Sequence, residues 1–153
     1  MIAGYWESPP KLVPPLAALH ELWRQCYGAQ ALPARPRLDA AALERWKRHI
    51  AWIEVTGKEQ FRVDGFGIEL IRRFGREATN NLVDDLAFDI ATSLREKLLK
   101  AVATASPVIG RASVQFGHYA ANFNELALPL AGEAGRVTRL LFAAYELTSS
   151  RDG

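Results

Sequence analysis

Twice along this chain the hydrophobic period changes. From Ile50 to Phe66 the sequence reads as β-type: Ile50 to Val55 is mostly apolar and β-rich, Thr56 to Glu59 supplies turn residues, and Phe61 to Phe66 alternates. From Ile68 to Ala105 the spacing becomes that of short helices, and from Val108 to Leu147 the β-type pattern returns. A hairpin, a helical block and a second run of strands therefore form one α+β unit.

The helical block divides at its glycines and proline. Ile68, Leu70, Ile71 and Phe74 give an apolar side to a short helix stopped by Gly75, and a further helical turn is expected over Leu82 to Leu86. Thr92 to Ala105 is a longer helix, with Leu94, Leu98, Leu99 and Val102 inward and Arg95, Glu96 and Lys100 toward water; Pro107 marks its end. Three strands follow at Val108 to Phe116, Asn124 to Leu130 and Arg136 to Leu147, joined through Gly117 to Phe123 and Ala131 to Gly135. Short links between consecutive strands favour antiparallel pairing.

Ahead of the first strand, Leu16, Leu19, Trp23, Cys26 and Tyr27 recur at three-and-four spacing, so residues 15 to 28 are expected to form an amphipathic helix. Pro33 and Pro36 make the next segment a connector, and Asp39 can cap a helix of Ala40 to His49 with Leu43 and Trp46 inward. The first fifteen residues, with Pro9, Pro10, Pro14 and Pro15, form an extended lead, residues 16–147 the domain, and residues 148–153 a tail.

The chain has 153 residues, 49% of them hydrophobic, enough for one sizeable core. A formal net charge of +2 and a charged fraction of 24% point to no nucleic-acid or other polyionic partner. The single cysteine, Cys26, excludes an intrachain disulfide and indicates a reducing compartment. The proline-containing start lacks the marks of a signal peptide, and no apolar run approaches the roughly 20 residues of a membrane helix, so a cytoplasmic location is expected.

Several strings in this order resemble a bacterial PAS-like family. These are Leu19-His20-Glu21-Leu22-Trp23, Leu32-Pro33-Ala34-Arg35 through Leu38-Asp39, Phe61-Arg62-Val63, Phe74-Gly75-Arg76-Glu77-Ala78-Thr79, and Glu125 to Leu130. Asn80 stands where that family commonly has glycine, a substitution asparagine tolerates because it accepts positive φ. The resemblance implies a five-stranded antiparallel sheet with helices over one face, enclosing a small chamber. It implies an apolar lining of Phe61, Val63, Ile71, Phe74, Leu98, Val114, Phe116, Leu126, Leu128 and Phe142. Arg76, Asn80 and Ser113 are the polar groups expected to orient a ligand there.

The strands also need cover on their second face. Leu126, Leu128 and Leu130 share one side of their strand, and on the first strand Ile50 and Trp52 face away from Ala51, Ile53 and Val55. The leading helix is the natural cover, from its own chain or exchanged with a second copy; a homodimer using Leu16, Leu19, Trp23 and Tyr27 is expected.

Motifs for chemistry are missing from the sequence. There is no nucleophile elbow, no phosphate-cradling glycine loop and no close histidine pair, so neither enzyme activity nor a metal is expected. None of His20, His49 and His118 lies in the Thr92 to Ala105 helix that resembling haem sensors use for their axial ligand, and the cysteine string of flavin photosensors is missing. No cofactor is expected. The basic group Arg35, Arg37, Arg45, Lys47 and Arg48, against Asp39 and Glu44, reads as a solvated face, and Asp84 and Asp85 as favouring a helix start. The expected function is a stand-alone sensory domain that binds a small molecule and acts through a dimer or a separate protein partner. A ligand-free dimerisation adaptor is the alternative, and a small enzyme on a cone-shaped α+β fold the least favoured.

Overall fold

The structure is a computed structural model that describes residues 11–26, 38–132 and 135–147, with the Phe116 and Tyr119 side chains left out. After α1 (Pro14–Gln25) and a 3-10 helix (Glu44–His49) come β1 (Ile50–Gly57) and β2 (Gln60–Phe66). A 3-10 turn (Ile68–Leu70) runs directly into α2 (Ile71–Phe74), a second 3-10 turn follows at Val83–Asp85, and then α3 (Phe88–Thr104). The chain closes with β3 (Val108–Phe116), β4 (Tyr119–Ala131) and β5 (Val137–Glu146).

All five strands join one sheet in the order β2-β1-β5-β4-β3, every neighbour antiparallel. The order explains how the inner face is covered. Because β2 forms one edge and β3 the other, residues 67–107 must traverse the whole sheet, and they do so over one face. That crossing lays α2 and α3 on Ala51, Ile53, Phe61, Val63, Phe123, Ala127, Leu140 and Phe142, which with Leu94 and Leu98 form the inner core.

The crossing is anchored at its glycines. A Cβ on Gly67 would lie 2.2 Å from the Lys47 carbonyl oxygen, so only glycine lets the chain leave β2 against the Glu44–His49 helix. Gly75 ends α2 in the left-handed region at φ +79°. Asn80 takes φ +67°, as expected of asparagine there, and its N–H donates to the Val63 carbonyl (2.6 Å) while the Val63 N–H donates to the Asn81 carbonyl (2.9 Å). The crossing thereby covers the open edge of β2.

The outer face is covered by the chain itself. Leu16, Leu19 and Trp23 of α1 are at most 3% exposed and pack with Leu126, Leu128, Leu130, Leu141 and Ala143. Three hydrogen bonds fix the helix: Val13 N–H to Asn124 Oδ1 (2.7 Å), Trp23 Nε1–H to the Pro129 carbonyl (2.9 Å) and Trp46 Nε1–H to the Pro15 carbonyl (2.7 Å). Pro129 is tolerated within β4 because β3 ends opposite Ala127, so its missing N–H falls where β4 has lost a neighbour. Among the described residues, no helix is long and apolar enough to cross a membrane.

Four expectations need correction. Ala40 to His49 is a turn followed by a 3-10 helix and not one regular helix. The link from β3 to β4 is only Gly117-His118, because Tyr119 to Phe123 already pair with β3. The long helix starts at Phe88, four residues before Thr92. Leu126 and Leu128 lie in the outer core under α1, since their parity on β4 is opposite to that of Phe123 and Ala127.

Candidate functional site

Of the expected lining residues, Phe61, Val63, Phe74, Leu98, Val114 and Phe142 converge between the sheet and the crossing helices, each 4% exposed or less. Phe74 and Phe142 approach at 6.2 Å between ring centres, and Phe66 meets Phe74 edge-on at 5.4 Å. Ile71 is only half-buried, Leu126 and Leu128 belong to the other face, and the Phe116 side chain lies outside the described residues. Arg76, Asn80 and Ser113, expected as polar neighbours, are all exposed. At the expected dimer contact, Leu16, Leu19 and Trp23 are taken up by their own sheet, so they form no exposed contact surface; Tyr27 lies outside the described residues.

The polar groups inside this oily space are different ones. Arg73 on α2 and Glu125 on β4 are both 0% exposed and form an ion pair: Arg73 Nε–H donates to Glu125 Oε2, and Nη2 reaches Oε1 at 3.4 Å. Lys97 Nζ closes on Glu125 Oε1 at 3.1 Å, and Ser93 Oγ accepts from Lys97 Nζ (3.0 Å) and from Arg73 Nη2 (3.2 Å). Ser93 and Lys97 are one turn apart on α3 and so present together. Gly110 on β3 sits opposite Glu125; a Cβ there would lie 2.5 Å from Lys97 Cε, so glycine makes room for the lysine stem.

Two features set this cluster apart from an ordinary structural pair. Two cations face one carboxylate, and Arg73 Nη1 is buried without a hydrogen-bond partner among the described residues. The Phe142 ring lies 5.9 Å from the Arg73 guanidinium carbon and forms part of the apolar wall.

Arg73 shares the inner side with Leu70 and Phe74, the three- and four-residue spacing of one helix face, while Ile68 is left 59% exposed; an apolar pattern that counts Ile68 and Ile71 as inward hides it. Glu125 carried a legible signal: a carboxylate alternating with leucines in a strand covered on both faces must find a cation.

Elsewhere, a cleft of about 560 Å³ opens on the outer side between Leu43, Ile50, Trp52 and Phe66, with Asp39, Glu44 and Lys47 at its rim. A second, of about 530 Å³, lies along the solvent side of α3 beside the exposed Phe88. Neither is lined by the inner-face candidates. The uncovered half of the outer face carries Glu54, Arg62, Asp64 and Arg139, with Asp64 bridging Arg62 (3.1 Å) and Arg139 (2.7 Å). His20 sits beside Trp23, and burial together with Arg24 lowers its pKa below 6.5. His49 stacks on Tyr145 at 3.9 Å, and burial raises the tyrosine's pKa. Among the described residues, no three histidine, cysteine or acidic side chains gather as a metal site.

No protein-family model matches this chain, and no curated protein matches it either. Solved structures do. The PAS domain of a protein from Colwellia psychrerythraea superposes with a TM-score of 0.54 at 14% identity, over 74% of this chain and 98% of that one. A LOV protein from Rhodobacter sphaeroides gives 0.50 at 12% identity, over 74% and 70% of the two chains. VqmA of Vibrio cholerae, described among LuxR-type receptors, gives 0.53 at 11% identity over 72% of this chain and 51% of its own length. With the strand order, the antiparallel pairing and the helical crossing already described, these likenesses establish that the chain carries the PAS fold.

Proposed function

We propose that this chain is a sensory domain that holds a small molecule in the inner chamber and reports its presence to a second copy or a separate protein, without catalysing a reaction. The observation that carries the reading is the buried Arg73–Glu125 pair, joined by Lys97 and set among apolar side chains, with a donor to spare. A chamber built only for stability gains little from buried charge, because well-packed hydrophobic residues commonly do as well or better. A ligand site, in contrast, combines apolar walls with a few convergent polar groups, as here. The fold's neighbours include a PAS domain, a LOV protein and a receptor, which supports a sensory role.

Reporting would pass through the outer face, which carries Trp52 and the Glu54–Arg62–Asp64–Arg139 network. The test is a thermal-shift screen of small organic compounds followed by methyl NMR with each hit. Binding in the chamber moves the Val63, Leu98 and Val114 methyl signals and leaves those of Leu126 and Leu128 in place. Hits that move only outer-face methyls refute the proposed location.

A second reading is a ligand-free adaptor. It is favoured by the near-complete burial of the inner-face side chains, which is what a filled core requires. A panel without a single stabilising compound supports it.

A further inference from the structure

The Arg73 guanidinium has five N–H groups in a fixed fork, and one edge of the fork is taken. Nε–H and Nη2 face Glu125 and Ser93, while both hydrogens of Nη1 are left inside the protein with no acceptor among the described residues. Charge is unbalanced in the same direction: Arg73 and Lys97 bring two positive charges and Glu125 one negative. A buried donor without an acceptor and a buried surplus of positive charge are each unfavourable, and one group removes both.

From this we infer that the chamber takes a short-chain monocarboxylate, anchored end-on at Arg73 Nη1. The inference rests on the sensory reading above and names the ligand class for that site. A monoanion cancels the single surplus charge, whereas a phosphate dianion overshoots it and a neutral amide leaves it standing. The Phe142 ring beside the guanidinium carbon, and Phe74 next to it, offer the ligand's hydrocarbon end an aromatic wall. The tight burial of Phe61, Val63 and Leu98 limits that end to a few carbons. Entry is from the Lys97 side, where the side chain is 12% exposed while Arg73 and Glu125 are sealed.

The experiment compares acetate, propionate and butyrate with acetamide, propionamide and butyramide at constant ionic strength, read by thermal shift and by NMR of the Arg73 Nε–H and inner-face methyl signals. At a hundred times Kd, the best-fitting acid should raise Tm by roughly 6–10 °C and move both sets of signals, and its amide should do neither. Arg73→Lys keeps the charge but lacks Nη1, and should weaken the acid at least tenfold. Arg73→Met/Glu125→Met removes the buried pair together with Nη1 and serves if Arg73→Lys does not fold; Lys97 keeps the surplus charge, and the loss of the Nη1 anchor should likewise weaken the acid at least tenfold. If amides bind the inner face as well as acids, or Arg73→Lys binds the acid undiminished, the carboxylate inference is wrong while the chamber reading stands. If neither series moves an inner-face signal but other compounds do, the ligand class is again wrong. If no compound of any class moves one, the chamber reading falls with it.

Discussion

Removing Glu125 should harm the protein more than removing Arg73, and removing both should harm it least. Glu125→Met leaves Arg73 and Lys97 facing each other inside the protein with no carboxylate, and an uncompensated buried charge costs about 3–5 kcal/mol. Arg73→Met leaves Glu125 still paired to Lys97 at 3.1 Å, so the loss should be about 2–3 kcal/mol, the scale of one or two charged hydrogen bonds. In Arg73→Met/Glu125→Met the remaining charge is Lys97, already 12% exposed and able to turn outward, so the cost should shrink to about 1–2 kcal/mol. The coupling between the two sites is then about 3–7 kcal/mol, well outside additivity. Urea unfolding of the four proteins measures it, with an unchanged slope confirming that the same surface is exposed. Additive losses, or a Glu125→Met loss below about 1 kcal/mol, would show that the pair is solvated and is not the buried charge cluster described above.

Three further outcomes follow from the packing. Trp23→Ala should cost about 3–5 kcal/mol in urea unfolding, and Trp23→Phe about 1–2, because the phenyl ring keeps the apolar cover but loses the bond to the Pro129 carbonyl. Gly67→Ala should cost about 2–3 kcal/mol, since its Cβ meets backbone at 2.2 Å, whereas Gly65→Ala, with nothing within 4 Å, should change stability by less than about 0.5 kcal/mol. Because the folded-state pKa of His20 is lowered, the unfolded chain takes up the proton first. Its contribution is intact above pH 6.5 and is lost as pH falls through the folded value, so the urea midpoint should drop between pH 7.5 and 5, less steeply in His20→Gln.

The succession of elements along the chain and the two-faced burial of the sheet were legible because they follow from period and parity, whereas the pairing of β1 with β5 is set by tertiary structure. Ile50 and Trp52 against Ala51 and Ile53 declared that both faces needed cover, and α1 supplies the second. Parity alone does not say which face receives the crossing helices, and for that reason Leu126 and Leu128 were assigned to the chamber when they belong under α1. Tyr119 to Phe123 hid as a connector because Ala120 and Ala121 carry little β signal, and only pairing with β3 reveals them as strand. The charged heart of the site was the least legible part. Arg73 lies on the helix face of Leu70 and Phe74, where an arginine gives no apolar signal, and its meeting with Glu125, 52 residues away, is a product of tertiary structure.

The claim on which the rest depends is that the chamber between the sheet and its crossing helices holds a small molecule. Native mass spectrometry of freshly purified protein tests it most directly. The account predicts a mass above that of the 153-residue chain, released on denaturation as one small organic species and diminished in Arg73→Met/Glu125→Met. A bare chain mass under conditions that preserve weak complexes, together with no compound that stabilises the fold, would contradict it.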